Sequence, residues 1–124
     1  MTGLGTDIIE IARIEKAIAR ESFLRHVFTE QEQHWLKEKG KQMPQSAAGL
    51  FCAKEAVAKA LGTGFQNGLR FRDIEIAHTE QGAPYVLHPD QPFLLSISHC
   101  QTYATATAIL LDHRMKGDRN DAEY

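Results

Sequence analysis

Four side chains stand where their types and spacing permit chemistry: Asp7, Glu55, Lys59 and His99. Asp7 interrupts an otherwise apolar stretch, Gly-Leu-Gly-Thr-Asp-Ile-Ile over residues 3–9. A carboxylate left unpaired inside a protein is costly, so Asp7 has a partner, lies at an exposed strand end, or caps a helix. Glu55 and Lys59 lie four residues apart in an Ala-rich segment. On a helix that spacing makes a surface ion pair of ~0.3–0.5 kcal/mol. It also puts a carboxylate and an ammonium one turn apart, an arrangement suited to phosphate. Asp7 and Glu55 together offer two hard oxygen donors from distant segments. Mg2+ takes one or two such carboxylates, keeps several waters, and draws its other ligands from substrate phosphates. Gly62-Thr63-Gly64 follows at once, with small residues and free backbone N–H groups that a nucleotide can approach closely. The same turn also reads as a plain helix end.

His99 closes Ser96-Ile97-Ser98-His99. Period-two alternation sets Ser96 and Ser98 on one face and Ile97 and His99 on the other. His99 is either accessible beside a turn or a satisfied structural histidine. The Ser-x-Ser pair lacks the Gly-x-Ser-x-Gly context of a hydrolase elbow, so no serine nucleophile is read here. The six histidines, at 26, 34, 78, 88, 99 and 113, are scattered, and no zinc spacing appears. Cys52 and Cys100 make no disulfide framework and read as reduced thiols in a reducing compartment.

Positioning these groups requires a set of elements that the patterning supplies. Residues 3–9 read as a strand. Ile11, Ile14 and Ile18 form one stripe of a helix over 11–20, with Arg13, Lys16 and Arg20 on the opposite side. Thr29 and Glu32 make a capping box at the start of a second helix, which holds Trp35 and Leu36 and stops at Gly40. Residues 40–45 read as a loop. The longest helix runs from Gln45 to Leu61 and ends at Gly62, its buried stripe being Leu50, Ala53, Val57 and Leu61. Then the period changes to two: Ile74 and Ile76 alternate with Asp73 and Glu75, and strands follow at 85–88, 93–99 and 103–111 with turns between them. Helices first and strands second predict an α+β fold, a small single domain with helices packed on a largely antiparallel sheet. The domain is placed at 1–114 and a polar, frayed tail at 115–124.

Length and composition agree with one ordinary domain: 124 residues, 43% hydrophobic and 24% charged. A net charge of −2 argues against non-specific nucleic-acid binding. No apolar run approaches the roughly 18 residues of a membrane span. The start of the sequence lacks the pattern of a signal peptide, so a cytoplasmic protein is expected.

Three blocks occur in order: Gly3-Leu-Gly-Thr-Asp7-Ile-Ile-Glu-Ile-Ala-Arg13-Ile-Glu, Phe51-Cys-Ala-Lys54-Glu55-Ala-Val-Ala-Lys59-Ala-Leu-Gly62-Thr-Gly64, and Ser96-Ile-Ser98-His99. With Phe28-Thr29-x-x-Glu32 and Asp73-Ile-Glu-Ile, they resemble the 4′-phosphopantetheinyl transferases over residues 3 to about 111. Within that family they resemble the short single-domain branch, the holo-acyl-carrier-protein synthases. The resemblance implies transfer of 4′-phosphopantetheine from coenzyme A to a serine of apo acyl carrier protein, releasing adenosine 3′,5′-bisphosphate, in fatty acid biosynthesis. It implies Mg2+ on Asp7 and Glu55, and catalytic roles for these two with Lys59 and His99. Coenzyme A is expected beside Lys59, Gly62, Thr63, Gly64, Ser98 and His99. A homotrimer with the site between subunits is also implied. Carrier proteins of this kind are acidic, which gives the Arg13, Lys16 and Arg20 face a use in docking; otherwise it is a solvated helix face. Two positions depart from the family pattern: Leu50 stands where a basic residue is common, and Cys52 where a small Ala is usual. A competing reading is a non-catalytic carrier-protein or nucleotide-binding module. A weaker one is a small Mg2+-dependent pyrophosphate hydrolase.

Overall fold

The computed structural model describes residues 2–112. The end of the domain at 114 and the polar tail lie outside the described residues.

Strand β1 (Gly3–Glu10) runs directly into α1 (Ile11–Ile18), whose Ile11 and Ile14 are buried. The helix ends two residues short of the expected boundary. A second helix not foreseen from the pattern, α2 (Glu21–Val27), follows, with Arg20 extended at its N-cap. Seven residues with two buried side chains, Leu24 and Val27, are too few to show a period. Helix α3 (Glu30–Lys37) begins at the expected capping box. The Glu32 N–H donates to Thr29 Oγ1 at 3.2 Å, and the Thr29 N–H donates to Glu32 Oε1 at 2.8 Å. A short 3-10 turn, Gly40–Gln42, replaces most of the expected loop, and α4 (Met43–Ala60) starts earlier than expected because Pro44 fits a first helical turn. Gly62 ends it with φ +97°, a conformation that favours glycine.

The second half supplies β2 (Glu75–His78), β3 (Pro84–His88), β4 (Phe93–His99) and β5 (Tyr103–Leu110). Asp73 belongs to a 3-10 turn, Phe71–Asp73, rather than to the strand. Among the described residues every pairing is antiparallel, but there are two sheets: β1-β5-β4 and β2-β3. Ile74 and Ile76 are buried as the alternation predicts.

Helix α4 lies across the three-stranded sheet, and small residues set the distance between them. Ala104, Ala106 and Ala108 line the facing side of β5, and all are buried. A Cβ at Gly5 would fall 1.9 Å from the Ala56 carbonyl oxygen, and one at Gly3 would fall 1.8 Å from that of Ala60. The expectation of a single buried stripe on α4 is corrected. Leu50, Ala53 and Val57 are buried, but so are Ala47, Ala48, Gly49, Cys52, Lys54, Ala56, Ala58 and Ala60, while Leu61 is half-buried. The helix is enclosed by sheet on one side and by α1 and α3 elsewhere. Its many alanines permit that close approach on most sides.

Candidate active site

The register Asp7–Ala106–Ile97 across β1, β5 and β4 turns Asp7 toward α4. Its side chain is only 17% exposed. Lys59, on the last turn of α4, spans the gap: its Nζ donates to the Thr6 carbonyl at 3.0 Å and lies 3.5 Å from Asp7 Oδ1. Glu55 lies one turn earlier and is half-buried. Burial, and then the negative charge of Asp7, raise its carboxyl above the ordinary range, with Lys59 opposing. The Cys52 thiol is packed into the same group. Its Sγ donates to the Ala104 carbonyl at 3.4 Å, and burial with the neighbouring Asp7 carboxylate pushes it up to about 12. Asp7, Glu55 and Lys59 therefore converge as expected from their types.

Two carboxylates against one ammonium leave surplus negative charge, which a cation relieves. Two hard oxygen donors fit Mg2+, which keeps its own waters. Among the described residues no set of three or more His, Cys, Asp or Glu is arranged to hold a metal.

His99 and Ser98 do not join this group within one chain. His99 pairs with Ala104, which pairs with Ile9. Its backbone is therefore two strands and two residues from Asp7, about 12 Å at ordinary sheet spacings. It lines a separate cavity of about 210 Å3 with Gln45, Ser46, Gly49 and His78. Ser98 is exposed on the opposite face of the sheet. The turn after α4 is also corrected in one respect. The N–H groups of Gly62 and Gly64 donate to the Lys59 and Ala58 carbonyls at 2.9 and 3.1 Å, so they finish the helix and are not free for phosphate. The turn still offers room: nothing lies within 4 Å of a Cβ placed at Gly62 or Gly64. Arg13 and Lys16 are exposed on α1, and Arg20 is exposed just beyond it.

A model of the 4′-phosphopantetheinyl transferase superfamily matches residues 3–108. The chain belongs to this superfamily. A holo-[acyl-carrier-protein] synthase of Chlamydia pneumoniae is 49% identical over 118 residues, covering 87% of this chain and 95% of the relative. Among solved structures, the holo-(acyl-carrier-protein) synthase of Bacillus anthracis in complex with CoA (3′,5′-ADP) has a TM-score of 0.80 at 39% identity, covering 88% of this chain and 95% of that one. The Helicobacter pylori holo-[acyl-carrier-protein] synthase in complex with coenzyme A has a TM-score of 0.78 at 33% identity, covering 87% and 99%. The α+β architecture of helices against antiparallel sheets is shared with these synthases.

Beside the acid pair of this transferase-superfamily fold lies a group that the motif reading missed. Lys54 precedes Glu55 but points the other way, into the interior. Its Nζ is 2.6 Å from Glu32 Oε1 and donates to the Ile74 and Phe71 carbonyls at 2.7 and 3.0 Å. Glu32 Oε2 accepts from the Ile76 N–H at 2.8 Å. Burial pushes the Glu32 carboxyl up and the Lys54 ammonium down, each opposed by the other's charge. One signal was present in the sequence: Lys54 falls at 40° from Leu50 on the helical wheel, at the edge of the apolar stripe. Phe51, one turn before Glu55 on the same side of α4, stacks on Phe71 at 5.4 Å between ring centroids.

Proposed function

We propose that the chain is a holo-acyl-carrier-protein synthase, moving 4′-phosphopantetheine from coenzyme A to a serine hydroxyl of an apo acyl carrier protein in fatty acid biosynthesis. The observation that carries this reading is the convergence of Asp7, Glu55 and Lys59 at one end of α4 in a chain of this superfamily.

In the reaction the serine oxygen bonds to phosphorus, the bond to the adenosine-side phosphate breaks, and the hydroxyl proton passes to a carboxylate or to water. Charge spreads over non-bridging oxygens, so positioning and electrostatics supply most of the rate. Asp7 and Glu55 are the residues to hold Mg2+, which when bound neutralises pyrophosphate charge and the departing oxygen. Lys59, half-exposed and held by Thr6 and Asp7, presents a point charge to the same phosphates. The open turn at Gly62, Thr63 and Gly64 leaves space for the coenzyme.

His99 lies about 12 Å along the sheet from its own acid pair and lines a separate cavity, which supports a site completed by a second subunit. The outer face of the three-stranded sheet supports the same reading. Leu4, Ile109 and Leu94 form one row across it, and Leu4, Ile8, Leu94 and Tyr103 are 57%, 62%, 43% and 43% exposed. Large apolar side chains grouped on an uncovered sheet mark an association surface. A homotrimer formed there would bring His99 and Ser98 of one subunit toward coenzyme A bound by the next. Arg13, Lys16 and Arg20, all exposed, would steer the acidic carrier.

The test is incubation with coenzyme A, Mg2+ and an apo acyl carrier protein, followed by intact-mass measurement. A gain of ~340 Da on the carrier, the transferred group, is expected. Binding of both substrates with no gain would leave a non-catalytic module. Consumption of coenzyme A with no gain would indicate a hydrolase.

A further inference from the structure

A second basic surface lies apart from the α1 face. Arg25 and His26, in the last turn of α2, meet Arg70 and Arg72, which flank Phe71 in the 3-10 turn. The four side chains alone line a hollow of about 280 Å3. Arg25 is held by Glu21 at 3.3 Å, and Arg70 by Asp73 at 3.0 Å. Arg72 is exposed, and no carboxylate among the described residues lies within ion-pair distance of it.

The turn carrying Arg70 and Arg72 is firmly placed. Lys54 Nζ takes the carbonyls of Phe71 and Ile74 from within the core. The Phe71 ring stacks on Phe65 at 3.9 Å and on Phe51 at 5.4 Å, and the His26 ring lies 6.2 Å from it. Phe51 is four residues, about 6 Å along the axis, before Glu55. The hollow is thus tied through Phe71 and Phe51 to the acid pair.

We propose that this hollow is a second anchor for the acceptor, taking carboxylates of the acidic carrier protein on Arg72, with Arg25, Arg70 and His26 around it. The proposal rests on the transferase reading above and adds the surface that orients the carrier once α1 has attracted it. Charge complementarity selects the partner: guanidinium groups at the exposed rim of an apolar floor suit an acidic protein surface. The anchor is separate from the coenzyme, whose phosphates are assigned to Lys59.

The test is initial-rate kinetics of wild type, Arg72→Glu and Arg72→Lys, varying the apo carrier and coenzyme A independently, with circular dichroism as a check of fold. Arg72→Glu is expected to raise KM for the carrier by ~10-fold, a typical scale for reversing one interfacial charge. KM for coenzyme A and kcat should stay within about twofold, and the salt dependence of kcat/KM should weaken. Arg72→Lys should recover most of the loss. An unchanged carrier KM in a folded Arg72→Glu protein overturns the proposal, as does a rise in the coenzyme A KM instead. Absence of transfer by the wild type refutes the transferase reading itself, so the two failures are distinguished.

Discussion

Glu32 Oε1 and Lys54 Nζ meet at 2.6 Å with neither side chain exposed to solvent. The contact fastens the start of α3 to the middle of α4, and its remaining hydrogen bonds reach Phe71, Ile74 and Ile76. Removing one partner leaves the other charge buried alone, which costs ~3–5 kcal/mol. Lys54→Met is expected to lower stability by that amount in urea titration. A loss below ~1 kcal/mol would refute a structural role for the pair. Replacing both, as Glu32→Gln with Lys54→Met, should cost less than the sum of the single changes.

The acid pair behaves in the opposite way. Asp7→Asn removes a long contact to the half-exposed Lys59, worth ~0–1 kcal/mol, and also relieves the repulsion of Glu55. Stability should therefore change by less than ~1 kcal/mol, while transfer should fall at least ~100-fold. Intact-mass assays and thermal melts on the same samples check both halves. Chelation of divalent ions should give the same loss in the wild type, restored by added Mg2+.

Gly5 has no room for a methyl group. A Cβ there would sit 1.9 Å from the Ala56 carbonyl oxygen, backbone that cannot rotate aside. Gly5→Ala must push α4 off the sheet and should cost ~1–3 kcal/mol or more. A melting temperature equal to wild type would show that the helix does not lie so close.

The two thiols should react differently. Cys52 is buried and its thiol is pushed up to about 12, mainly by burial and then by Asp7. Cys100 is exposed and lowered by backbone N–H groups of Thr102 and Tyr103. A thiol reagent at pH 8 should label one cysteine in the folded protein and two in denaturant. Peptide mapping that finds Cys52 labelled first would contradict this arrangement.

Arg70 lowers the titration of Asp73 through its side chain and then its backbone N–H. A carboxyl lowered on folding contributes stability above its unfolded pKa, and that contribution is lost as pH falls through the folded value. In Arg70→Ala, Asp73 should titrate at a higher pH than in wild type. NMR of its carboxyl carbon gives the comparison directly.

Much of the fold was legible because local signals agreed with one another. Thr29 and Glu32 marked a helix start, and alternation marked β4 and β5. Asp7, Glu55 and Lys59 were legible by type, since a carboxylate in an apolar strand and a one-turn acid–lysine spacing both ask for an explanation. Their meeting required the close approach of β1 and α4, which Gly3 and Gly5 permit and which no local pattern announces. Helix α2 escaped because seven residues carry too little period. The Glu32–Lys54 pair escaped because Glu32 was already accounted for as a cap and Lys54 stood within a helix otherwise read by its apolar stripe. The N–H groups of Gly62 and Gly64 could not be assigned without knowing which carbonyls lay above them. The distance from His99 to Asp7 follows from strand order, which spacing in sequence does not contain.

Phe51, Glu55 and Lys59 recur every fourth residue along a single helix, so α4 serves as a ruler between an aromatic floor, an acid and a cation. One residue inserted among them would swing everything downstream by about 100° around the axis. Point changes on the rest of the surface leave that graduation intact. A single residue inserted or deleted between Phe51 and Lys59 should therefore abolish transfer, because it turns Lys59 away from Phe51.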